Sequence, residues 1–476
     1  MTYVPSADSH HLDRAIGGNH CRTRSQSCIL DGMNAPQPPS PLKLDLPALT
    51  RREWISTMAL AAVHSTGQAI AFGQETGRAE PGLGAYDELM QRVMREHKPP
   101  GAALAVTYHG RLVYARGFGH ADLEKREPVE PGSLFRIASL SKPFTAAAVL
   151  HLVEKGKLKL DDRVFPILKL HAHLEHGGKI DARLHDIRVH HCLQHTAGWD
   201  RDKSWDPMSA GGAEEVSHAL KVLLPIHPRQ IIEVAMGKPL DFNPGTRYVY
   251  SNFGYCVLGR VIEAISGKPY HEYVSQQILT PLGIRHMRLG KNLLRDRAAG
   301  EVKYYDAKKR TGRAISGPRI GEPAPLPYGV ECIETMDANG GWIASAVDLV
   351  RFAAAFDDPA QCPILQESSI RTMLAPPPGH VGHRPDGKPK EVYYACGWDV
   401  RPSGRHPGKF TKFHGGGLAG SNTLLVCRDD GINWAVLFNS DEGKDGKAFT
   451  EPLDGLLHQT ADKIKNWPEV DLFHKF

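Results

Sequence analysis

The sequence predicts an α/β protein of the α+β class, with an antiparallel sheet flanked by helices and a mainly helical lobe. Two β-hairpins lie at opposite ends of the ordered part of the chain. Residues 102–108 and 112–118 form the first, and residues 423–428 and 432–438 form the second. The long stretch between them shows helical spacing broken by Pro and Gly. We therefore expect one sheet built from both ends, with a helical insertion between them.

The apolar spacing also predicts the helices that flank this sheet. Residues 83–98 place their apolar side chains on one face and stop before Pro99-Pro100. Residues 140–155 predict a long helix with Pro143 in its first turn and Gly156 at its end. Further helices are predicted at 254–265, at 270–279, from a Ser345–Asp348 capping box through Phe356, and at 447–465.

Composition and charge limit the class of protein. Hydrophobic residues make up 41% of the 476 residues and charged residues 23%, as in soluble globular proteins. The net charge is +5 with Lys and Arg scattered, so no nucleic-acid partner is expected. No apolar run is long enough for a permanent membrane span. We predict one domain over 80–470, divided into a sheet lobe (80–157 and 335–470) and a helical lobe (158–334).

The first seventy residues predict a leader rather than part of the fold. Residues 1–49 are polar and Pro-rich, and indicate disorder or an over-long start. Residues 50–71 combine Arg51-Arg52, a short apolar run and a small-x-small cleavage site, which is the pattern of a twin-arginine-type signal peptide. That predicts a periplasmic or extracellular protein. The alternative is a surface helix with a chance arginine pair, which leaves the protein in the cytoplasm.

The eight cysteines form no C-x-x-C pair, so neither a structural zinc site nor a redox motif is indicated. Export would allow one or two disulfides, whose pairing the sequence does not give.

The sharpest local signal for chemistry is Ser139-Leu140-Ser141-Lys142, an S-x-x-K at a strand-to-helix junction. Residues three apart on a helix share a face, so Lys142 points back at Ser139. A serine hydroxyl needs a neighbour that takes its proton, and a desolvated lysine can do so. By itself the motif also fits an N-cap serine followed by a surface lysine.

Four more blocks follow in order, and with this motif they resemble the penicillin-binding protein and class C β-lactamase family, which also includes esterase relatives. The resemblance runs from about 84 to 440. The blocks are Phe135–Thr145 around the motif, Leu193–Trp199, Pro244–Tyr255, Gly340–Leu349 and Phe413–Gly420.

The resemblance implies a β-lactamase/transpeptidase-like fold and a set of site residues. It makes Ser139 the acylated nucleophile, Lys142 its partner and Tyr250 a second base whose phenol Lys142 activates. Asn252 would bind Lys142 and a substrate carbonyl. His414, Gly415, Gly416 and Gly417 would form the substrate-binding strand, with the backbone N–H groups of Ser139 and Gly417 as oxyanion hole. No cofactor or metal is implied.

Two departures from the family pattern put the substrate in doubt. His414 and Gly415 stand where class C β-lactamases carry the Lys and Thr of K-T-G, which weakens the expected grip on a β-lactam carboxylate. Inserts near 165–185 and 200–235 are expected to reshape the cleft rim. We therefore expect a small-molecule substrate, an ester or D-amino-acid peptide rather than a β-lactam. A true class C β-lactamase remains an alternative.

Two rival functions belong to other classes. The first is a non-catalytic binding protein of the same fold, against which the joint presence of Ser139, Lys142 and Tyr250 argues. The second is a metallohydrolase that uses a histidine-rich stretch, but no compact ligand set such as H-E-x-x-H is present. We interpret that stretch as a solvated insert; its histidines are His171, His173, His176, His185, His190, His191 and His195. The oligomeric state stays open.

Overall fold

An eight-stranded antiparallel sheet carries the fold in the computed structural model, which describes residues 75–476 apart from 78–79, 176, 404–405 and 407. The predicted N-terminal tail (1–49) and the predicted signal segment (50–71) lie outside the described residues. The strand order is β3-β2-β1-β13-β12-β11-β10-β9, so the first and last hairpins meet at the centre as predicted. These strands are β1 Gly101–Tyr108, β2 Arg111–Asp122, β3 Glu127–Pro128, β9 Tyr393–Tyr394, β10 Asp399–Pro402, β11 Phe410–Leu418, β12 Ser421–Cys427 and β13 Ile432–Phe438.

Two smaller sheets complete the β structure of the described residues. One has the order β4-β8-β5, and the other pairs β6 with β7. Their strands are β4 Phe135–Arg136, β5 Arg288–Leu289, β6 Thr311–Arg313, β7 Pro323–Pro325 and β8 Trp342–Ala344. Three of these five strands come from the stretch predicted to be mainly helical.

Helices cover the large sheet and fill the region between its two hairpins. They are α1 Gly84–His97, α2 Ser141–Glu154, α3 Val164–Leu168, α4 Val189–Leu193, α5 Ala210–Leu220, α6 Pro228–Ala235, α7 Asn252–Ser266, α8 Tyr270–Val274, α9 Asp337–Gly340, α10 Ala346–Ala354, α11 Glu367–Leu374 and α12 Thr450–Lys463. Most predicted bounds agree with these to within a few residues. The Ser345–Asp348 capping box is present, although α10 ends at Ala354 rather than Phe356.

Both faces of the large sheet are buried, because alternate residues of each strand point to opposite sides. On β1, Ala103 and Ala105 pack into the core shared with α2 and α7, whereas Leu104 and Val106 pack against α1 and α12. The strands therefore read as continuous apolar runs rather than as an apolar–polar alternation.

Helix α2 is buried nearly all round, unlike the amphipathic helix that its spacing predicts. Its first ten residues, Ser141 to Leu150, are all buried. It packs against α7, α9 and α11. A helix that is covered on every side belongs to a protein interior. Lys142 therefore enters the core at the start of this helix.

Other sequence predictions concern cysteines and membrane spans. Cys192, Cys256, Cys332, Cys362, Cys396 and Cys427 are all unpaired thiols in the described part of the chain. Cys21 and Cys28 lie outside it. Over the same residues, no helix combines the length and the apolar character that a membrane crossing needs.

Candidate active site

Ser139 lies on a 3₁₀ turn, Ala138–Leu140, between β4 and α2. The preceding residue, Ala138, is buried and has φ +49°, in the left-handed region that non-glycine residues seldom adopt. The surrounding core holds this strained turn in place. It leaves Ser139 half-buried just before the N-terminus of α2 rather than inside the core.

Side chains of β12 fasten the chain just before Ser139 to the large sheet. Ser421 Oγ donates to the carbonyl of Arg136 at 2.7 Å, and Thr423 Oγ1 donates to that of Ile137 at 3.2 Å. Because β12 also pairs with β11, these bonds set the nucleophile turn against the β11 strand.

Lys142 is fully buried, and its Nζ has three oxygen neighbours. They are Ser139 Oγ at 3.0 Å, Asn252 Oδ1 at 2.8 Å and the Asn339 carbonyl at 2.9 Å. Burial holds the pKa of Lys142 well below its usual range, and the nearby Arg201 lowers it further. The oxygens of Asn252 and Asn339 can only accept, so a neutral amine uses both hydrogens there. Its lone pair then points at the Ser139 hydroxyl.

Tyr250 brings a second proton-transferring group to the same oxygen. Its hydroxyl lies 2.8 Å from Ser139 Oγ. Lys142 Nζ is 4.8 Å from the centroid of the Tyr250 ring, and the guanidinium carbon of Arg201 is 5.7 Å from it. The Lys142 and Arg201 side chains therefore both lie against the ring that carries this hydroxyl.

Asn252 is the first residue of α7, where the Ser251 hydroxyl caps the helix by accepting from the Gly254 N–H. Its Oδ1 accepts from Lys142, as predicted. Its amide nitrogen is left for a different partner. The half-buried side chain of Asn252 also lines a cavity of about 340 Å³, which is large enough for part of a substrate.

This cavity is lined by aromatic and charged side chains, only part of which come from the insert predicted near 200–235. Trp199 and Phe253 contact edge to face, with ring centroids 4.6 Å apart. Trp205 lies beside them, and Lys238 Nζ is 4.7 Å from its ring centroid. The other lining residues include Arg201, Lys203, Ser204, Asp206, Ala235, Pro239, Leu240 and Asp241.

The β11 strand supplies the opposite wall of the site. Strand β10 pairs with β11 only as far as Phe413, so from His414 onward that edge has no neighbouring strand among the described residues. A Cβ on Gly416 would lie 2.4 Å from the Ile137 carbonyl, so only glycine lets the strand approach the nucleophile turn this closely. Gly417 is exposed, and a Cβ there would meet nothing within 4 Å.

His414 begins the part of β11 predicted to bind substrate, and its ring faces the protein interior. Its side chain is buried, with Nδ1 2.6 Å from the Gly415 carbonyl and Nε2 3.0 Å from the Tyr394 hydroxyl. Burial, followed by the charge of Lys142, lowers the pKa of His414 to about 3, so the ring is neutral. Because a carbonyl only accepts, Nδ1 carries the proton and Nε2 accepts from Tyr394. His414 therefore ties β11 to Tyr394, while Gly417 on the same strand is exposed.

The histidine-rich stretch forms no metal site within the described residues, where no three His, Cys, Asp or Glu side chains are grouped to hold an ion. His190 instead contacts the Leu160 carbonyl, and His191 accepts from the Arg188 N–H. His195 is separate from this group and is buried against Tyr250.

The structure thus brings Ser139, Lys142, Tyr250 and Asn252 into one hydrogen-bonded cluster and places the 415–417 edge beside the nucleophile turn. Sequence reasoning missed three neighbours. His195 lay inside a matching block and could have been singled out. Asn339 acts through its backbone carbonyl and Tyr394 arrives from a distant strand, so no local pattern marks either.

Comparison with known proteins identifies the family. The family model described as Beta-lactamase matches residues 86–458. Penicillin-binding protein 4* of Bacillus subtilis (strain 168) is 26% identical over 404 residues, which cover 82% of this chain and 80% of that protein. Esterase EstB of Burkholderia gladioli is 30% identical over 251 residues, or 51% of this chain and 59% of EstB. The match to EstB therefore spans less than two thirds of that protein.

A solved structure supports the same assignment. The octameric penicillin-binding protein homologue from Pyrococcus abyssi is 26% identical, with a TM-score of 0.57 over 80% of this chain and 78% of that one. The predicted β-lactamase/transpeptidase-like fold is confirmed, and the chain belongs to the Beta-lactamase family.

Proposed function

We propose that this protein is a serine hydrolase that cleaves an ester or amide through an acyl-enzyme on Ser139. One observation carries the proposal. Ser139 Oγ lies 3.0 Å from the buried amine of Lys142 and 2.8 Å from the hydroxyl of Tyr250. A hydroxyl with two such groups within hydrogen-bond distance has the geometry of an activated nucleophile.

In the acylation step, Ser139 Oγ attacks the substrate carbonyl carbon while its proton passes to the neutral amine of Lys142. The carbonyl oxygen becomes an oxyanion, for which the backbone N–H groups of Ser139 and Gly417 are the proposed donors. Collapse of this intermediate breaks the bond to the leaving group. The leaving group takes a proton from Tyr250, and the acyl group stays on Ser139.

Deacylation reverses the roles, with water in place of the leaving group. Tyr250, left as a phenolate after it protonated the leaving group, takes a proton from the water as the water attacks the acyl carbon. The second oxyanion collapses, the acid leaves, and Ser139 Oγ regains its proton from Lys142. No step needs a redox change.

The finer proposal concerns the substrate. Since EstB is named an esterase and His414-Gly415 replaces the Lys and Thr of K-T-G, we favour esters and D-peptides over β-lactams. The aromatic cavity beside Asn252 suits a bulky apolar part of the substrate. Export through residues 50–71 stays a prediction.

The test compares hydrolysis of a chromogenic short-chain ester, a chromogenic cephalosporin and a D-Ala-D-Ala peptide by the full chain. We expect ester or peptide turnover that Ser139→Ala abolishes, and covalent labelling of Ser139 by a fluorophosphonate. The exposed Ser368→Ala variant is the matched control and keeps full activity. Absence of label on Ser139 would contradict the proposal that the protein is a serine hydrolase. Fast cephalosporin turnover would contradict the preference for esters and D-peptides over β-lactams.

A further inference from the structure

His195 holds the chain on both sides of Tyr250. Its backbone carbonyl accepts from the N–H of Val249 at 2.9 Å. Its side-chain Nδ1 accepts from the N–H of Ser251 at 3.1 Å. His195 therefore holds the backbone N–H groups of both residues next to Tyr250, and Ser251 in turn caps the helix that presents Asn252.

The His195 ring is also packed against Tyr250. The two ring centroids are 4.3 Å apart, and the Tyr394 ring lies 4.4 Å away from His195 on the strand side. The Tyr255 ring, from α7, is 5.3 Å away. The phenol that faces Ser139 is thus supported by backbone bonds along the chain and by a ring contact at its side.

The protonation state of His195 follows from these bonds. Nδ1 faces an N–H donor, so it must be the unprotonated nitrogen, and the proton lies on Nε2. Nε2 is buried without a hydrogen-bond partner among the described residues. Burial, with added repulsion from Lys142, holds the pKa of His195 well below its usual range. A protonated ring would place a second hydrogen against the Ser251 N–H and break the contact.

The backbone of His195 is itself held in an uncommon conformation. Its φ is +56°, in the left-handed region, directly after α4. The Tyr255 hydroxyl donates to the carbonyl of Leu193 at 2.8 Å, which anchors the end of α4 to α7. Such a conformation persists only where the surroundings hold it, and Asn is among the few residues that also adopt it readily.

We propose that His195 is a positioning residue that sets the distance between Tyr250 and Ser139 through the Nδ1 contact to Ser251. This inference rests on the proposed function, because it assigns His195 a task in the proton transfer by Tyr250. Specifically, the hydrogen-bond acceptor at the position of Nδ1 keeps Tyr250 in place beside Ser139, and the size and polarity of the ring do not.

Three variants of the full chain test the claim. His195→Asn keeps an acceptor oxygen at the place of Nδ1, whereas His195→Gln carries its oxygen to the place of Nε2, which has no partner. His195→Ala removes both. With a chromogenic short-chain ester, we expect kcat to fall about 10- to 100-fold in the Ala and Gln variants, with KM within about threefold. The Asn variant should recover most of kcat.

The rate of Ser139 labelling by a fluorophosphonate should follow the same order, and melting temperatures provide the check on folding. The Asn and Gln variants keep the test decisive if the Ala variant does not fold. Equal kcat in the Asn and Gln variants would overturn the proposal, as would a loss that appears only in KM.

A parallel Tyr250→Phe variant separates this inference from the proposed function. If Tyr250→Phe retains wild-type kcat, the role of Tyr250 fails and His195 has nothing to position. If Tyr250→Phe loses activity while His195→Ala does not, only the positioning role of His195 is wrong.

Discussion

The reaction centre, formed by Ser139, Lys142, Tyr250 and Asn252, and the wall of the neighbouring cavity meet at Asn252. The two regions differ in how deeply their side chains are buried. In the centre, Lys142 is fully buried and its amine has three defined oxygen neighbours. In the wall, Trp199 and Trp205 are only half-buried, and Lys203 is exposed. The centre depends on these defined contacts, whereas we expect changes at those three wall residues to leave Ser139 in place. We therefore expect the centre to decide the reaction and the wall to decide the substrate.

The largest effect should come from the centre, through Lys142→Met. This change removes the amine that contacts Ser139 and keeps a similar volume. We expect kcat to fall about 10³-fold, within the range for loss of a positioned acid–base group. Steady-state kinetics with a chromogenic ester measure the change, and the exposed Lys157→Met is the control.

The same variant should not destabilise the fold. A buried amine without a carboxylate partner costs free energy, so its replacement by an apolar side chain should leave the melting temperature unchanged or raise it. A stable variant with near wild-type kcat would show that Tyr250 alone activates Ser139, and the comparison of the two regions would then lose its main support.

A smaller effect, on selectivity rather than rate, is expected from the wall. Trp205→Ala removes a large part of the aromatic lining of the cavity. The ratio of kcat/KM for a phenylacetyl ester over an acetyl ester should fall about tenfold, because the larger acyl group loses buried apolar contact. Hydrolysis of the acetyl ester should change little.

Trp467→Ala is the matched control, because Trp467 stacks on Tyr108 with ring centroids 4.7 Å apart and packs against the core of α1 and α12. An unchanged ratio in Trp205→Ala would mean that the substrate does not enter this cavity.

The two regions also differ in how far the sequence predicts them. Helical spacing predicts that Lys142 faces Ser139, whereas Tyr250 and Asn252 were grouped with them only because their block follows in the order of the family that the sequence resembles. The burial of the His414 ring could not be predicted, because it depends on a contact with Tyr394, which comes from β9. The wall draws on separate stretches around 199–207 and 235–241, and no local spacing encodes their contact.

The smallest effect on activity is expected at Glu331, which lines a separate cavity together with Pro207 and Met208. Its Oε2 is buried without a hydrogen-bond partner among the described residues, and burial raises the pKa of this carboxyl to about 7. A carboxyl whose pKa is raised in the folded state lowers stability once the unfolded chain ionises, so stability is lost progressively as pH rises from the ordinary pKa of 4.5 to about 7. His195 and His414, whose pKa values are lowered, stay neutral over the same range.

Glu331→Gln keeps the shape of the side chain and removes the ionisation. We expect it to gain about 2 kcal/mol more in the free energy of unfolding over wild type at pH 8 than at pH 5, because the pKa of Glu331 is raised from 4.5 to about 7 and one pKa unit corresponds to about 1.4 kcal/mol. Chemical denaturation at the two pH values measures the difference, with the exposed Glu334→Gln as control. An equal gain at both pH values would mean that Glu331 is already ionised in the folded protein. The contribution of Glu331 to stability would then be as insensitive to pH as those of His195 and His414.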